Sequence, residues 1–319
     1  MDTGDRMDRE DLKVIFMGTP DFSLPVLDGL IENYNVVAVV TQPDKEVGRH
    51  GELSESPVKK RAKEAGIPVL QPIKMRKEFQ MILDYKPDLV VTCAYGQIIP
   101  AEIIDYPKYK CINVHASLLP KYRGGAPIHK AIIEGDSVTG VTVMYMDYGM
   151  DNGDILTKRE IEIEYIDTAE TLFDKLKIVG RELLLDTLPK LLNGEITSIK
   201  QIEEEATFAY NIKPEDERID FCKTTREVYN HIRGLNSWPV AYTTLDEKRI
   251  KVWESKESSH RGTEEPGTIL SINDGIGIKT ADGKVILTMI QPEGKKKMTS
   301  QDYINGYSNK KDLLGKVLK

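Results

Sequence analysis

The feature that most constrains the fold is the alternation of short β-branched runs with helix-like segments in the first two thirds of the chain. Strands separated by helices form βαβ units, in which the strands pair in parallel. We therefore expect an α/β fold with a Rossmann-like, mostly parallel sheet. The strand-like runs lie at 12–17, 36–41, 68–70, 88–93, 110–115, 140–146 and 155–163, and the helical segments at 22–33, 57–65, 77–85 and 126–134.

The last third of the chain predicts a second, smaller domain. A long helix at 168–192 ends at Asn193-Gly194, and the segment after it is polar and irregular. A helix at 225–235 is followed by several short strands with turn signals between them, which is typical of a small β-barrel or sandwich. The expected division is a disordered extension at 1–11, a first domain at 12–198, a linker at 199–211 and a second domain at 212–319.

Composition limits the class of protein. The 319 residues are 40% hydrophobic and 30% charged, which is typical of a globular protein. No apolar run approaches the roughly 20 residues of a membrane span, and the first residues are charged rather than signal-like, so we expect a cytoplasmic protein without membrane association. The three cysteines are far apart and show no CxxC spacing, which argues against a disulfide framework and against a zinc site.

The net charge of -7 is unevenly spread. Acidic residues dominate the first two thirds, whereas the last third is richer in arginine and lysine and contains the run Lys295-Lys296-Lys297. This asymmetry permits a local basic face on an acidic protein, although solvated lysines are the default on any surface.

Asn113 and His115 stand two residues apart at the end of the strand-like run 110–115, just before a glycine-containing loop. Side chains two residues apart on a strand point the same way, and open α/β sheets place ligands at the carboxyl ends of their strands. The ends of two other strands, at Gly18 and at Tyr95-Gly96, should converge there. Asp151 lies on a tight acidic loop at 147–154 that should reach the same edge.

These three side chains can support acyl transfer to an amine. When an amine attacks a carbonyl carbon, the oxygen becomes an anion and needs donors fixed where that charge develops, each worth about 3–4 kcal/mol in known cases. Asn113 and protonated His115 suit this role. Asp151 can accept the proton that the attacking ammonium must lose, directly or through a water.

Other chemistries fit the same residues less well. A metal site would need a third ligand at a conventional spacing, and neither HxH nor HExxH occurs, so we expect no metal. Ser117 lacks a GxSxG context, and Cys111 lies within the strand. The acidic loop at 147–154 does not match an EF-hand. A GxGxxG fingerprint and a P-loop are both absent, so no nucleotide cofactor is indicated.

At these residues the sequence resembles the folate-dependent formyltransferases, and in particular the branch that acts on aminoacyl-tRNA. The likeness spans nearly the whole chain after residue 11. It is carried by Gly18-Thr19-Pro20-Asp21-Phe22, Thr41-Gln42-Pro43-Asp44, Ser56-Pro57-Val58-Lys59, Ala94-Tyr95-Gly96, the segment from Asn113 to Gly124, Gly140-Val141-Thr142, the segment from Met146 to Ile155, and Asn236-Ser237-Trp238-Pro239.

The resemblance implies a formyltransferase fold that binds 10-formyltetrahydrofolate as co-substrate, with Asn113, His115 and Asp151 catalytic. It implies transfer of the formyl group to the α-amino group of methionine on initiator tRNA by a protein expected to be monomeric. The folate site would be lined by Tyr95, Gly96, Ser117, Leu118, Leu119, Pro120 and Asp147.

The resemblance also assigns tRNA contact to the loop at 42–56, where Arg49 matches an important arginine of the family and Lys45 is present, and to an OB-like C-terminal barrel. Lys59, just after this loop, is expected to share the contact. Glu52 and Glu55 lie in this loop where the family often has lysines. Because electrostatic attraction to phosphate falls with each missing cation, we expect Lys60, Arg61 and C-terminal cations to share the contact.

Three other functions stay open at this point. A related formyltransferase could act on a small amine, such as an amino sugar nucleotide or glycinamide ribonucleotide. A hydrolase could release formate from the same folate, since water could replace the amine. An OB-type nucleic-acid binder with a degenerate enzyme half is the non-enzymatic alternative.

Overall fold

A computed structural model describes residues 11–47 and 51–319. The predicted extension at 1–11 therefore lies, apart from Asp11, outside the described residues. In the first part of the chain the strands and helices are, in order, β1 (Lys13–Gly18), α1 (Leu24–Asn33), β2 (Asn35–Val40), β3 (Lys45–Val47), β4 (Glu52–Ser54), α2 (Pro57–Glu64), β5 (Val69–Leu70), α3 (Met75–Glu78), α4 (Gln80–Leu83), β6 (Leu89–Cys93), α5 (Ala101–Asp105), β7 (Cys111–His115), α6 (Pro127–Ile133), β8 (Val138–Tyr145), β9 (Ile155–Glu162) and α7 (Ala169–Leu192).

In the described part of the chain, seven of these strands form one sheet in the order β5-β2-β1-β6-β7-β8-β9. β1 pairs in parallel with β2 and β6, and β6 with β7, whereas β7 and β8 are antiparallel. Every residue of β6 is buried, as expected of a strand covered on both faces. The Rossmann-like, mostly parallel sheet predicted from the alternating pattern is confirmed.

Two local predictions differ from the structure, and one helix was not predicted. The helix expected at 77–85 begins earlier, where Met75 is buried and its N–H donates to Gln97 Oε1, and it is interrupted at Phe79. The loop at 42–56 contains the hairpin of β3 and β4. The five-residue helix α5 follows Pro100 and is too short to show a helical period in the sequence.

After α7 the elements are α8 (Thr225–Gly234), β10 (Ala241–Leu245), β11 (Lys248–Ser258), β12 (Ile269–Ser271), β13 (Ile276–Lys279), β14 (Lys284–Pro292), β15 (Met298–Thr299) and α9 (Ser300–Asn305). The strands form an antiparallel sheet in the order β10-β11-β14-β13-β12, with β15 on β14. Thr224 and Glu227 cap the start of α8, which packs on β11. This arrangement agrees with the expected OB-like domain.

Contacts divide the chain into two compact units. The first contains the described residues up to Gly124 together with Thr139–Ile161 and Phe173–Phe208, and the second contains Gly125–Val138, Glu162–Leu172 and Ala209–Lys319. α6 belongs to the second unit because it packs on α8, where His129 Nδ1 donates to the Gly234 carbonyl at 2.8 Å. The contiguous division at 199–211 stays a prediction. Over the described residues, no helix is both long and apolar enough to cross a membrane.

Candidate active site

Three strand ends meet at the centre of the first sheet. β6 lies between β1 and β7, with Gly18 opposite Cys93 and Thr92 opposite Asn113. Gly18 has no room for a side chain, because a Cβ would lie 2.8 Å from the Cys93 carbonyl oxygen. The convergence expected from the sequence is therefore present, and it places Asn113 on β7, next to the middle strand β6.

The amide of Asn113 is oriented by Thr92. The Thr92 hydroxyl, on a nearly fully buried side chain, lies 2.8 Å from Asn113 Oδ1 and donates to it. Because Asn113 Oδ1 accepts the bond from Thr92, the Asn113 Nδ2 donor points away from Thr92. Among the described residues, no acceptor bonds to Nδ2. Sequence reasoning missed Thr92, and its signal was a lone hydroxyl in an otherwise apolar strand.

His115 is buried and has an oxygen atom near each ring nitrogen. Nε2 lies 2.9 Å from the Tyr122 carbonyl oxygen, which can only accept, so this nitrogen carries a proton. Nδ1 lies 3.7 Å from Asp151 Oδ2, beyond hydrogen-bond distance. Nδ1 is therefore the nitrogen that can exchange a proton or donate to a reacting oxygen.

Asp151 reaches His115 from the loop between β8 and β9. Its carboxylate accepts a 2.8 Å hydrogen bond from the Gly124 N–H through the same Oδ2 atom that faces His115. The backbone at Asp151 is left-handed, with φ 48°. Gly153 lets the loop pass close to β8, since a Cβ there would lie 1.8 Å from the Tyr145 carbonyl oxygen.

Together these side chains provide a free amide donor, an imidazole and a carboxylate in one partly enclosed place. This is the set of groups that the chemistry of acyl transfer to an amine requires. Burial raises the pKa of the Cys93 thiol to about 12, and it also raises the pKa of the fully buried Cys111. Neither thiol is therefore a reactive nucleophile. Among the described residues, no three His, Cys, Asp or Glu side chains gather as metal ligands.

The loop after His115 was expected to line the folate site. The Ser117 side chain is fully buried, and its hydroxyl donates to the Lys121 carbonyl at 2.6 Å. Leu119 is also fully buried in an apolar cluster. Leu118 and Pro120 are partly exposed. A ligand can therefore meet Leu118 and Pro120, whereas Ser117 and Leu119 are covered, and the Ser117 carbonyl and the Leu119 N–H both bond to the Thr142 hydroxyl. The expected role of Ser117 and Leu119 in folate binding stays a prediction.

Tyr95, Gly96 and Asp147 were expected in the same site. Tyr95 is buried, burial raises its pKa, and its hydroxyl has no partner among the described residues. Gly96 has φ 94°, which favours glycine. Asp147 is exposed and lines a groove of about 320 Å³ that also includes Lys110 and Lys200.

The residues expected to contact tRNA in the first unit differ in their surroundings. Arg49 lies outside the described residues. Lys45 is exposed on β3. Lys59 Nζ lies 2.6 Å from Asp44 and 3.4 Å from Glu55, and the hydrogen bond to Asp44 raises the pKa of Lys59. Two carboxylates therefore balance the charge of Lys59, while its role in tRNA binding stays a prediction.

The second unit carries a surface that we call the basic–aromatic face. Its side chains lie on one side of β10, β11 and β14, opposite the buried Ile250 and Val252. The Arg249 guanidinium lies 3.7 Å from the centre of the Tyr242 ring, and Lys297 Nζ lies 4.4 Å from the Trp253 ring. The members of the face are Tyr242, Arg249, Lys251, Trp253, Gln291 and Lys297. Such cation and ring pairs are found where proteins bind single-stranded nucleic acid.

Two family profiles match the chain. Residues 12–188 match the family described as formyl transferase, and residues 211–308 match the formyl transferase C-terminal domain. The chain is 55% identical over 300 residues to a protein named methionyl-tRNA formyltransferase from Bacillus cereus (strain B4264), covering 92% of this chain and 96% of that protein. A protein of the same name from Bacillus anthracis (strain A0248) has the same identity and coverage.

Solved structures share the fold at lower identity. An N-formyltransferase from Helicobacter canadensis, in complex with folinic acid and dTDP-3-aminofucose, aligns with a TM-score of 0.69 at 21% identity, covering 88% of this chain and 99% of that chain. A methionyl-tRNA formyltransferase from Clostridium thermocellum aligns with a TM-score of 0.55 at 22% identity, covering 77% of this chain and 94% of that chain.

Proposed function

The chain belongs to the formyl transferase family, and from this we propose that it transfers the formyl group of 10-formyltetrahydrofolate to the α-amino group of methionine on initiator tRNA. The observation that carries the proposal is that Asp151, from a separate loop, lies beside His115 at the end of the strand that also carries Asn113. The chain contains the groups that this reaction needs, in positions where they can act on one carbonyl.

Asn113 and His115 stabilise the negative charge that develops on the formyl oxygen during attack. Thr92 turns the Asn113 Nδ2 donor outward, and Tyr122 fixes the His115 ring through Nε2, so that protonated Nδ1 can donate. Donors fixed in advance cost no reorganisation as the charge appears, and losing one costs other enzymes about 10²–10³ in kcat.

Asp151 accepts a proton from the attacking amine. The amine must be neutral to attack, so its ammonium form gives up one proton, which the Asp151 carboxylate can take directly or through a water. The new bond joins the amine nitrogen to the formyl carbon, and the bond from that carbon to the folate nitrogen breaks. Over the whole reaction the ammonium form of the amine loses two protons, of which one passes to the leaving folate nitrogen and the other is released to solvent, so no proton stays on the enzyme.

The folate site is proposed to use Tyr95, Gly96, Ser117, Leu118, Leu119, Pro120 and Asp147. Support for a folate comes from the match to the formyl transferase family, and the Helicobacter canadensis protein in complex with folinic acid is an example of a folate bound to this fold. Support from the chain itself is the unpartnered hydroxyl of buried Tyr95, a neutral donor, and the groove in which Asp147 lies with two lysines. A flat ring with amino groups needs such acceptors and donors, and an acidic tail favours nearby lysines.

The acceptor is proposed to be initiator methionyl-tRNA because the chain is 55% identical to proteins that carry this substrate in their name. The basic–aromatic face supports an RNA substrate, since it offers cations to phosphates and rings to bases. Lys45, Lys59 and Arg49 are proposed as further contacts. Arg249 is paired with Glu217 at 2.8 Å, and Glu254 and Glu293 are exposed next to the face, so its attraction for phosphate is local rather than general.

A small amine acceptor remains the strongest alternative substrate. The Helicobacter canadensis relative aligns better than the Clostridium thermocellum one, and its second ligand is an amino sugar nucleotide. At 21% identity this likeness supports the fold alone, whereas the 55% identical relatives favour tRNA.

An assay of acceptor choice tests the proposal. Purified protein and 10-formyltetrahydrofolate are mixed, in separate reactions, with initiator methionyl-tRNA, elongator methionyl-tRNA, an amino sugar nucleotide, glycinamide ribonucleotide or no amine. We expect formylmethionine on initiator tRNA and slower transfer to the elongator. A small amine that is used as fast as initiator tRNA would refute the assigned acceptor, and release of formate without an amine would favour a hydrolase.

A cytoplasmic location and a monomeric state belong to the same proposal. Both substrates, a folate and a charged tRNA, are expected together in the cytoplasm. Sedimentation of the purified protein at two concentrations would test the monomeric state.

A further inference from the structure

The segment after α7 is built onto the catalytic loops of its own unit rather than standing apart from them. The Thr207 carbonyl accepts a 2.9 Å hydrogen bond from the Arg123 N–H, and the Thr207 hydroxyl accepts one of 2.9 Å from the Tyr122 N–H. At the other end, Ile199 and Ile155 exchange two backbone hydrogen bonds. The residues between these two anchors are therefore held beside the loop that carries Asp151.

Gln201 lies between the anchors and bonds directly to that loop. Its Nε2 donates one proton to the Asp151 carbonyl at 2.7 Å and the other to the Gly153 carbonyl at 2.8 Å. Both amide protons are thus used on two backbone oxygens of the same turn. The Gln201 side chain closes the turn in a way that no other residue type of its length can reproduce.

Arg123 fixes Gln201 in turn. The Arg123 side chain is 3% exposed, and its Nε donates to Gln201 Oε1 at 3.0 Å. Its two terminal nitrogens donate to the two carboxylate oxygens of Glu203, each at 2.9 Å. All three groups of the guanidinium are therefore engaged, and a forked pair of this kind holds a defined geometry.

The backbone of Asp151 needs such support. Its φ of 48° places it in the left-handed region, which costs a non-glycine residue conformational free energy and persists where the surroundings impose it. We propose that Gln201 is a positioning residue, which holds the Asp151 carbonyl so that the carboxylate of the same residue faces His115, with Arg123 and Glu203 fixing Gln201. The inference rests on the proposed catalytic role of Asp151.

Two substitutions of Gln201 separate its bonds. Gln201→Met keeps the length but removes every polar contact. Gln201→Glu keeps the acceptor for Arg123 but has no proton for the two carbonyls, and it adds a negative charge beside them. We expect each to lower the single-turnover rate by about 10–100-fold, the range in which misplaced catalytic groups slow enzymes. The KM for tRNA and the KM for folate should change by less than about threefold, because the polar atoms of this side chain are bonded to Arg123, Asp151 and Gly153.

A matched pair of glutamates tests the outer end of the network. Glu203→Gln removes the charge that holds Arg123, and we expect a rate loss of about threefold. Glu204→Gln makes the same chemical change one residue later, on an exposed side chain outside the network, and should leave the rate unchanged. Equal effects of the two variants would overturn the assigned role of Glu203.

A double-mutant cycle with Asp151→Asn distinguishes positioning from general stabilisation. If Gln201 acts through the Asp151 carboxylate, Gln201→Met should slow Asp151→Asn by less than about twofold, since the group that it positions is already lost. An equal slowing in both backgrounds, or a Gln201→Met rate within threefold of the unaltered protein, would overturn the proposal. If Asp151→Asn alone keeps nearly full activity, the proposed role of Asp151 fails first, and this inference fails with it. Thermal unfolding of each variant shows that the comparison is made between folded proteins.

Discussion

The proposed catalytic residues and the basic–aromatic face differ in their physical surroundings. His115 is nearly fully buried. Its Nε2 donates to the Tyr122 carbonyl, and the Asp151 carboxylate beside it accepts from the Gly124 N–H. Lys297 is exposed, and Lys251 and Trp253 on the same face are only partly covered. The buried region holds a few polar atoms in fixed positions. The basic–aromatic face presents charged side chains and aromatic rings to a large ligand, tRNA.

The difference predicts how each region should appear in kinetics. Fixed donors act where charge develops in the transition state, so their loss should lower kcat and leave KM nearly unchanged. Surface cations contribute to binding the substrate and the transition state alike, so their loss should raise KM and weaken the dependence on salt. The predictions below test this separation.

The largest effect is expected from Asn113→Ala. Removing one preorganised donor should lower kcat by about 10²–10³, with little change in the KM for tRNA. Steady-state formylation of initiator methionyl-tRNA measures both constants. Asn33→Ala, which removes an amide at the end of α1, is the control for a general loss of stability. If Asn113→Ala raised KM by a larger factor than it lowered kcat, the two regions would not differ in the way described above.

The double substitution of Lys251 and Lys297 by alanine tests the basic–aromatic face. We expect the KM for tRNA to rise about tenfold at low salt, while kcat stays within about twofold. Each cation that contacts phosphate should contribute about 0.7–0.9 to the slope of log affinity against log salt concentration, so that slope should fall.

Lys316→Ala is the matched control for the face, because Lys316 is a cation of the same unit whose charge is paired with Asp246. It should leave the salt slope unchanged. An unaltered slope in the double variant would show that the tRNA does not contact this face.

Thr92→Val should sharpen the assignment of the catalytic region. The change keeps the shape of the side chain and removes the hydroxyl that fixes Asn113 Oδ1, so the amide can turn over. We expect kcat to fall about fivefold, whereas Thr92→Ser, which keeps the hydroxyl, should stay within twofold. Presteady-state formylation at saturating folate measures the difference. Equal rates for Val and Ser would show that Asn113 is oriented by other contacts.

The smallest effect separates a free cation from a paired one. Lys45→Ala should weaken tRNA binding about threefold and lower the salt slope, because Lys45 is exposed on β3. Lys59→Ala should lower that slope less than Lys45→Ala does, since Asp44 and Glu55 already balance much of its charge. Binding of charged tRNA at several salt concentrations distinguishes them. A larger slope change for Lys59 would mean that tRNA displaces its carboxylates.

The sequence was enough to predict the parts of the site that depend on strand order. Asn113 and His115 come at the end of an apolar run, and the carboxyl ends of parallel strands lie at one edge of a sheet. Both residues could therefore be expected near Gly18. The second domain could also be predicted, because short strands with turn signals need only local patterns.

Side-chain partners that are distant in the sequence could not be predicted in the same way. Thr92 meets Asn113 across 21 residues, and Gln201 meets Asp151 across 50, with no local pattern to signal either pair. Lys59 likewise meets Asp44 across 15 residues, which the sequence does not signal, while the tRNA contact expected of Lys59 stays a prediction. The choice of partner is a property of the folded chain.

The most direct test of the account is the single-turnover formylation of initiator methionyl-tRNA by His115→Ala beside the unaltered protein. At saturating folate and enzyme, we predict a rate constant lower by at least about 10², with the affinity for tRNA unchanged and the fold intact by thermal unfolding. A rate constant within a few fold of the unaltered protein would contradict the assignment of catalysis to Asn113, His115 and Asp151.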